Sequence, residues 1–241
     1  MTRATTYQQP NSPASSLRWL GRSLTSAPDF QLHTVNSLER DKVETYIRDQ
    51  FRLIYNAKIS NFMPYLITMN CEGSISATAG MRPADQQPLF LEQYLPQTVE
   101  QRIATLTNAP TSRRHIVEIG NLAATRRGSS QLLFLILTGL LNCTQFEWIV
   151  FTGNSLVAKS LQRLGIELHN LGDADPDHLA HEKISDWGSY YQGNPHVFAA
   201  NIAQGKHAMD SSRMVSPIFD LYAETIERLA KTINSRVRSY A

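Results

Sequence analysis

The chain has 241 residues, enough for one large domain with appendages and too few for two independent enzymatic domains. With 42% hydrophobic and 18% charged residues, a sizeable core can form and disorder over most of the length is excluded. The 23 basic residues nearly balance the 21 acidic ones, so the formal charge of +2 makes no general case for nucleic acid or an anionic membrane as partner, and any basic site must be local.

Residues 1–28 carry Pro10, Pro13 and Pro28 among many Ser and Thr, and read as a flexible leader. They lack the apolar stretch of about 7 to 15 residues that a signal peptide needs. Cys71 and Cys143 make no disulfide framework and have no metal-ligand spacing, so a cytoplasmic location and no metal are expected. Phe30 to Val35 alternates as a strand does, and Ser37 can cap a helix running to about Tyr55 with Val43, Ile47 and Phe51 in its buried stripe. Met63–Met69 and Ile75–Met81 read as an antiparallel hairpin joined through Glu72 and Gly73. Leu89–Tyr94 suits a short extended piece, and Thr98–Leu106 a helix.

From His115 the pattern becomes strand (to Leu122), helix (Ser130–Leu141), strand (Trp148–Thr152) and helix (Ser155–Leu164), an alternation that implies a parallel pair. The apolar run Leu132–Leu141 is about half the ~20 residues a membrane helix requires, so it reads as a core helix and no stable membrane insertion is expected. After Ile166–Asn170 the chain turns through Asp173, Asp175 and Asp177, then forms a late strand at Val197–Ile202. Ser216 and Pro217 open a terminal amphipathic helix able to dock on a partner subunit, which makes a homodimer one expectation. The fold class is therefore α/β (α+β), a mixed sheet flanked by helices, with residues 29–205 as the domain and 206–241 as linker and helix.

The most informative segment is Ile116–Leu133. Glu118 stands among Ile116, Val117 and Ile119, where a carboxylate is paired, exposed at a strand end, or functional. A partly desolvated carboxylate can rise towards neutral pKa and act as a general base; the competing reading is a salt bridge to Arg82 or Arg113. Leu122, Ala123 and Ala124, then Arg126, Arg127, Gly128, Ser129 and Ser130, lead into the apolar helix. Free backbone N–H groups and two guanidiniums there can hold a phosphate, against a plain surface turn as the alternative. Trp187, Tyr190 and Tyr191 bracket small residues, and a tyrosine hydroxyl could protonate a leaving thiolate, although aromatic packing explains the cluster equally well. Glu92 lies inside an apolar run, either lining a cleft or facing outward from an edge.

Arg82 with the following LFLEQYL, the EIGNLA of Glu118–Ala123, Phe151-Thr152, the LGDAD of Leu171–Asp175 and the WGSYY of Trp187–Tyr191 together resemble the bacterial thermostable hemolysin family, over roughly residues 35 to 205. That family is grouped by fold with the GNAT acyltransferases and is similar to acyl-homoserine lactone synthases. The resemblance implies a GNAT-like, mostly antiparallel central sheet with a parallel splayed pair. It also implies an acyl donor, acyl-CoA or acyl-ACP (an acyl carrier protein), and a small-molecule amine acceptor of amino-acid-like chemistry, which Arg82, Glu92, Asn121 and Trp187 would bind. Arg127-Gly128 matches the start of the GNAT phosphate loop, with Ser130 where a second glycine is expected. The family's name offers a membrane-lytic protein as a competing function, and a non-catalytic binding module is a third reading.

Overall fold

The structure, a computed structural model, describes residues 27–125, 128–179 and 184–238. In chain order these form β1 (Asp29–His33), α1 (Arg40–Tyr55), β2 (Tyr65–Cys71), β3 (Ser74–Pro83), a 3-10 turn (Phe90–Tyr94), α2 (Val99–Thr107) and β4 (Ile116–Ala124). There follow α3 (Ser129–Asn142), β5 (Trp148–Gly153), α4 (Ser155–Gln162), β6 (His169–Asp173), β7 (His196–Asn201), α5 (Ile202–Asp210), α6 (Ser216–Leu221) and α7 (Ala223–Arg238). The strands make one sheet of order β1-β2-β3-β4-β5-β7-β6, in which only β4 and β5 run parallel.

Local chemistry explains the joints. The β2–β3 hairpin turns on Glu72 and Gly73, both at positive φ (52° and 77°), the geometry of a turn whose twist matches the strands. Helix α1 stops at Asn56, which adopts φ 54°; its N–H returns to the Arg52 carbonyl and that of Ala57 to the Phe51 carbonyl. Strand alternation sends Val117 and Ile119 into a core shared with α3, while Ile116 faces α2, where Val99 and Ile103 cover it. Helix α1 lays Val43, Ile47 and Phe51 against Leu66.

Three expectations change. Leu89–Tyr94 is not extended: the Glu92 carboxylate accepts the N–H of Leu89 at 3.0 Å and draws the segment into a 3-10 turn. His169–Asp173, expected to lead into a turn, is the edge strand β6, with Leu171 its one buried residue. Helix α5 spans positions 205 and 206, and Asn201 caps it through the N–H of Gln204. The terminal helix is two, α6 and α7, and the apolar face of α7 (Ile226, Leu229, Ala230, Ile233, Val237) is buried in the chain's own core with α3, so it is not left for a partner subunit. Among the described residues no helix is long and apolar enough to cross a membrane.

Candidate active site

The parallel pair creates the site. Residues 116–119 of β4 align with 148–151 of β5, and the pairing ends at Ile119 and Phe151 although both strands continue. Beyond that point β4 bulges. Gly80 of β3 pairs with Gly120 and Thr78 with Ala123, so Asn121 and Leu122 oppose a single residue, and Asn121 takes φ 46°. The bulge turns β4 away from β5, and the facing edges at 120–122 and 152–153 have no strand between them.

A cavity of about 570 Å³ occupies this parting. Its polar wall includes Arg82, Gln87, Glu118 and Asn121, and its roof includes Tyr55, Phe90, Tyr94, Trp187 and Tyr190. Its inner wall is apolar, built from Leu137 and Leu141 of α3, Ile149 and Phe151 of β5, and Leu161 of α4. The glycine pair makes room on the sheet for the Asn61–Met63 segment: a methyl group on Gly120 would stand 2.5 Å from Met63 Cε. Asn121 fixes that segment, its Oδ1 accepting the Met63 N–H at 2.8 Å.

Glu118 is 3% exposed. Its two oxygens accept the N–H groups of Leu91 (3.0 Å) and Phe90 (3.1 Å) at the start of the 3-10 turn, and Arg82 Nη1 lies 3.6 Å from Oε2. Burial pushes its carboxyl above the usual carboxylate range; Arg82 and the two N–H donors act in the opposite sense without cancelling it. The long contact leaves Arg82 with spare capacity, since its Nε is buried without a partner among the described residues. The Thr152 hydroxyl, also on the cavity wall, is in the same state.

Of the other residues expected at the site, Trp187, Tyr190, Asn121, Arg82 and Leu122 line the cavity. Tyr190 sends its hydroxyl to the Thr152 carbonyl at 3.4 Å, and burial raises its pKa, so the phenol stays protonated. Tyr191 lies behind the wall and meets the Tyr94 hydroxyl at 2.5 Å. Glu92 is not in the wall: it ion-pairs Arg113, accepts the N–H groups of Leu89 and Val99, and is a structural cap. Ala123 is buried and Ala124 packs against the core shared with α3; neither lines the cavity. Gly128, at φ 84°, turns the chain into α3, with Ser130 in its first turn. The hydroxyl of Ser129 there is wholly buried and unpaired among the described residues. Arg126 and Arg127 lie outside the described residues.

The aromatic cluster of the roof was readable as a motif, but its contact with α1 was not. The segment 184–194 docks on the end of α1 through backbone bonds, Ser189 N–H to the Tyr55 carbonyl at 2.8 Å and Lys58 N–H to the Asp186 carbonyl at 2.6 Å. These residues are more than a hundred positions apart in sequence. The WGSYY cluster was the signal for Trp187 and Tyr190, and nothing in the sequence tied it to Tyr55.

Residues 33–206 match the family model described as Thermostable hemolysin. No curated protein sequence matches the chain. Among solved structures, the acyl-homoserine lactone synthase LasI superposes with a TM-score of 0.51 at 14% identity, covering 76% of this chain and 95% of that one. TofI in its apo form gives 0.53 at 16%, covering 78% and 99%. The CoA-dependent acyl-homoserine lactone synthase BjaI, solved with SAM and isopentyl-CoA, gives 0.53 at 10%, covering 78% and 90%. At these identities the likeness is one of fold: the mixed sheet with a splayed parallel pair is the GNAT-like arrangement.

Proposed function

The chain belongs to the thermostable hemolysin family, and from that premise and the cavity's geometry we propose that it is an acyltransferase moving an acyl group from a pantetheine thioester to a small, amino-acid-like amine. The observation that carries the reading is a buried carboxylate, Glu118, on the wall of a cavity that is polar at the sheet's parting and apolar within. A thioester donor has the same division: a pantetheine arm with amides, then a hydrocarbon chain.

The residues present fit such a donor. The unpaired backbone edge at 120–122 suits the pantetheine amides, and the N-terminus of α3 suits the phosphate that acyl-CoA and acyl carrier protein both carry. The acyl chain would occupy the apolar inner wall. Arg82, with its free Nε–H, would receive a negative group of the acceptor such as a carboxylate.

In the proposed step the acceptor nitrogen attacks the thioester carbonyl carbon and its proton passes to Glu118, directly or through water. A backbone N–H near Leu122 steadies the oxyanion. The C–S bond then breaks, and the sulfur takes a proton from Tyr190, or from Tyr191 by way of a water. Amide and thiol leave, and the proton on Glu118 returns to the tyrosine through solvent. A raised carboxyl pKa suits this role, because a general base works best when its pKa approaches the working pH.

One observation favours a second reading. Both oxygens of Glu118 already hold backbone N–H groups, the pattern of a structural carboxylate, which would leave the cavity as a binding site without chemistry. Turnover by Glu118→Gln separates the two: a base requires its loss by about 10²- to 10⁴-fold with donor binding kept, and a structural carboxylate requires lowered stability with activity kept.

A further inference from the structure

Two buried glycines lie on the helices that pack here, α3 and α5, and of the two only the second lines the cavity. On α3, a methyl group at Gly139 would stand 3.0 Å from both Ile226 Cδ1 and Phe219 Cε1, so that glycine is required by the packing of α3 against α6 and α7. On α5, a methyl at Gly205 would stand 3.6 Å from Ile166 Cγ1 and 3.9 Å from Thr138 Cγ2, ordinary contact distances. Packing therefore does not demand a glycine at 205, and its backbone is helical, where glycine is a poorer choice than alanine. What Gly205 does is leave space: it lines the cavity together with Thr138, Leu161, Ile166 and Ile202.

The chemistry of that space is hydrocarbon. Thr138 is the polar residue of the group, and its hydroxyl is committed to the Phe134 carbonyl at 2.9 Å, one turn back on α3, so that it is the Thr138 methyl that faces Gly205. A helical glycine facing a methyl, a leucine and two isoleucines is a gap that no polar ligand group would fill, since nothing there could satisfy it.

We infer that Gly205 is the residue that sets the upper length of the acyl chain, by holding open the end of the cavity between α3 and α5. The inference rests on the acyltransferase reading. Its chemistry is exclusion: a side chain at 205 takes the volume of the last methylenes, and each methylene kept out of an apolar site loses several-fold in affinity, about tenfold for two.

The test uses the full chain with S-acyl pantetheine thioesters from about four to about sixteen carbons, which present the arm shared by both donor types, and a saturating amine mixture. Binding and turnover are measured for wild type, Gly205→Ala and Gly205→Leu. Wild type is expected to bind longer chains more tightly up to a limit. Gly205→Leu should lose about tenfold or more on the longest chains that wild type accepts and stay within about twofold on the shortest. Gly205→Ala, whose methyl meets its neighbours at ordinary contact distances, should move the limit the same way by a smaller step, so a Leu variant that fails to fold does not remove the test. An unchanged length profile in Gly205→Ala and Gly205→Leu, or an equal loss at every length, overturns the inference and leaves the acyltransferase reading standing. Absence of binding and turnover by wild type at every length overturns both.

Discussion

Arg82 and Glu118 stand opposite one another on β3 and β4, with Nη1 3.6 Å from Oε2, while the two carboxylate oxygens are held closer by the N–H groups of Leu91 and Phe90. The carboxylate is thus anchored by the backbone and only loosely engaged by the guanidinium, which remains free to serve a ligand. Arg82→Gln should accordingly weaken an acceptor that carries a carboxylate by about tenfold to a hundredfold, and leave donor binding unchanged. Titration of each substrate separately checks this; equal losses for donor and acceptor would assign Arg82 to structure alone.

The raised pKa of Glu118 has a sign that can be read twice. Its folded-state value lies above the unfolded one, so the stability tied to it is fully present below the ordinary carboxyl pKa and is lost as pH rises through the folded value. Wild type should therefore lose melting temperature relative to Glu118→Gln as pH rises over that window. As a base, the same group makes kcat/KM climb over the same window. Agreement of the two inflections links the residue to the chemistry, and an activity profile flat through the melting inflection argues against it.

Glu92 should behave in the opposite way. Burial opposes its ionisation, but the Arg113 hydrogen bond and the N–H groups of Val99 and Leu89 outweigh burial and hold its pKa low. Stability from this group is present above the ordinary carboxyl pKa and is lost as pH falls through the folded one. Glu92→Gln should be destabilised by about 1–3 kcal/mol at neutral pH, with the difference shrinking in acid. Its folded fraction should retain normal turnover, because the residue lies outside the cavity wall; denaturant titration and single-temperature kinetics measure the two parts.

Tyr190 and Tyr191 separate by position. Tyr190 is on the wall, and Tyr190→Phe should keep donor affinity while lowering kcat by about tenfold or more, if its proton reaches the thiolate. Tyr191→Phe removes the partner of the Tyr94 hydroxyl and should act mainly on stability. The reverse ranking in kcat would move the acid role to the second tyrosine.

Much of this architecture could be read in advance because its periodicities are long and regular. The β4-α3-β5-α4 alternation and the hairpin carry clear patterns, and Glu118 stood out as a charge among apolar neighbours. The failures have physical causes. In β6 the residues His169, Asn170, Gly172 and Asp173 are polar or small because the strand is an edge with one buried position. Residues Leu89 to Tyr94 look extended by composition, yet a single side chain, Glu92, bends them into a turn by accepting the Leu89 N–H. Helix α5 reads Ile-Ala-Gln-Gly-Lys, too polar and too glycine-bearing for a periodicity rule, although Asn201 at its cap was a usable sign. Trp187 and Tyr190 were legible as an aromatic cluster, but not their place over the cavity, because Tyr190 meets Tyr55, and Ser189 bonds the Tyr55 carbonyl, across more than a hundred positions of sequence.

The most direct measurement is thioester consumption by the purified chain. Acyl-CoA and acyl carrier protein donors are supplied with a mixture of amino acids and simple amines, with free thiol followed by absorbance and amide products by mass spectrometry. The account predicts stoichiometric thiol and N-acyl product from at least one donor, with Glu118→Gln lower by about 10²- to 10⁴-fold at equal folded fraction. Thiol release that never yields an amide, or a Glu118→Gln variant as active as wild type, would contradict it.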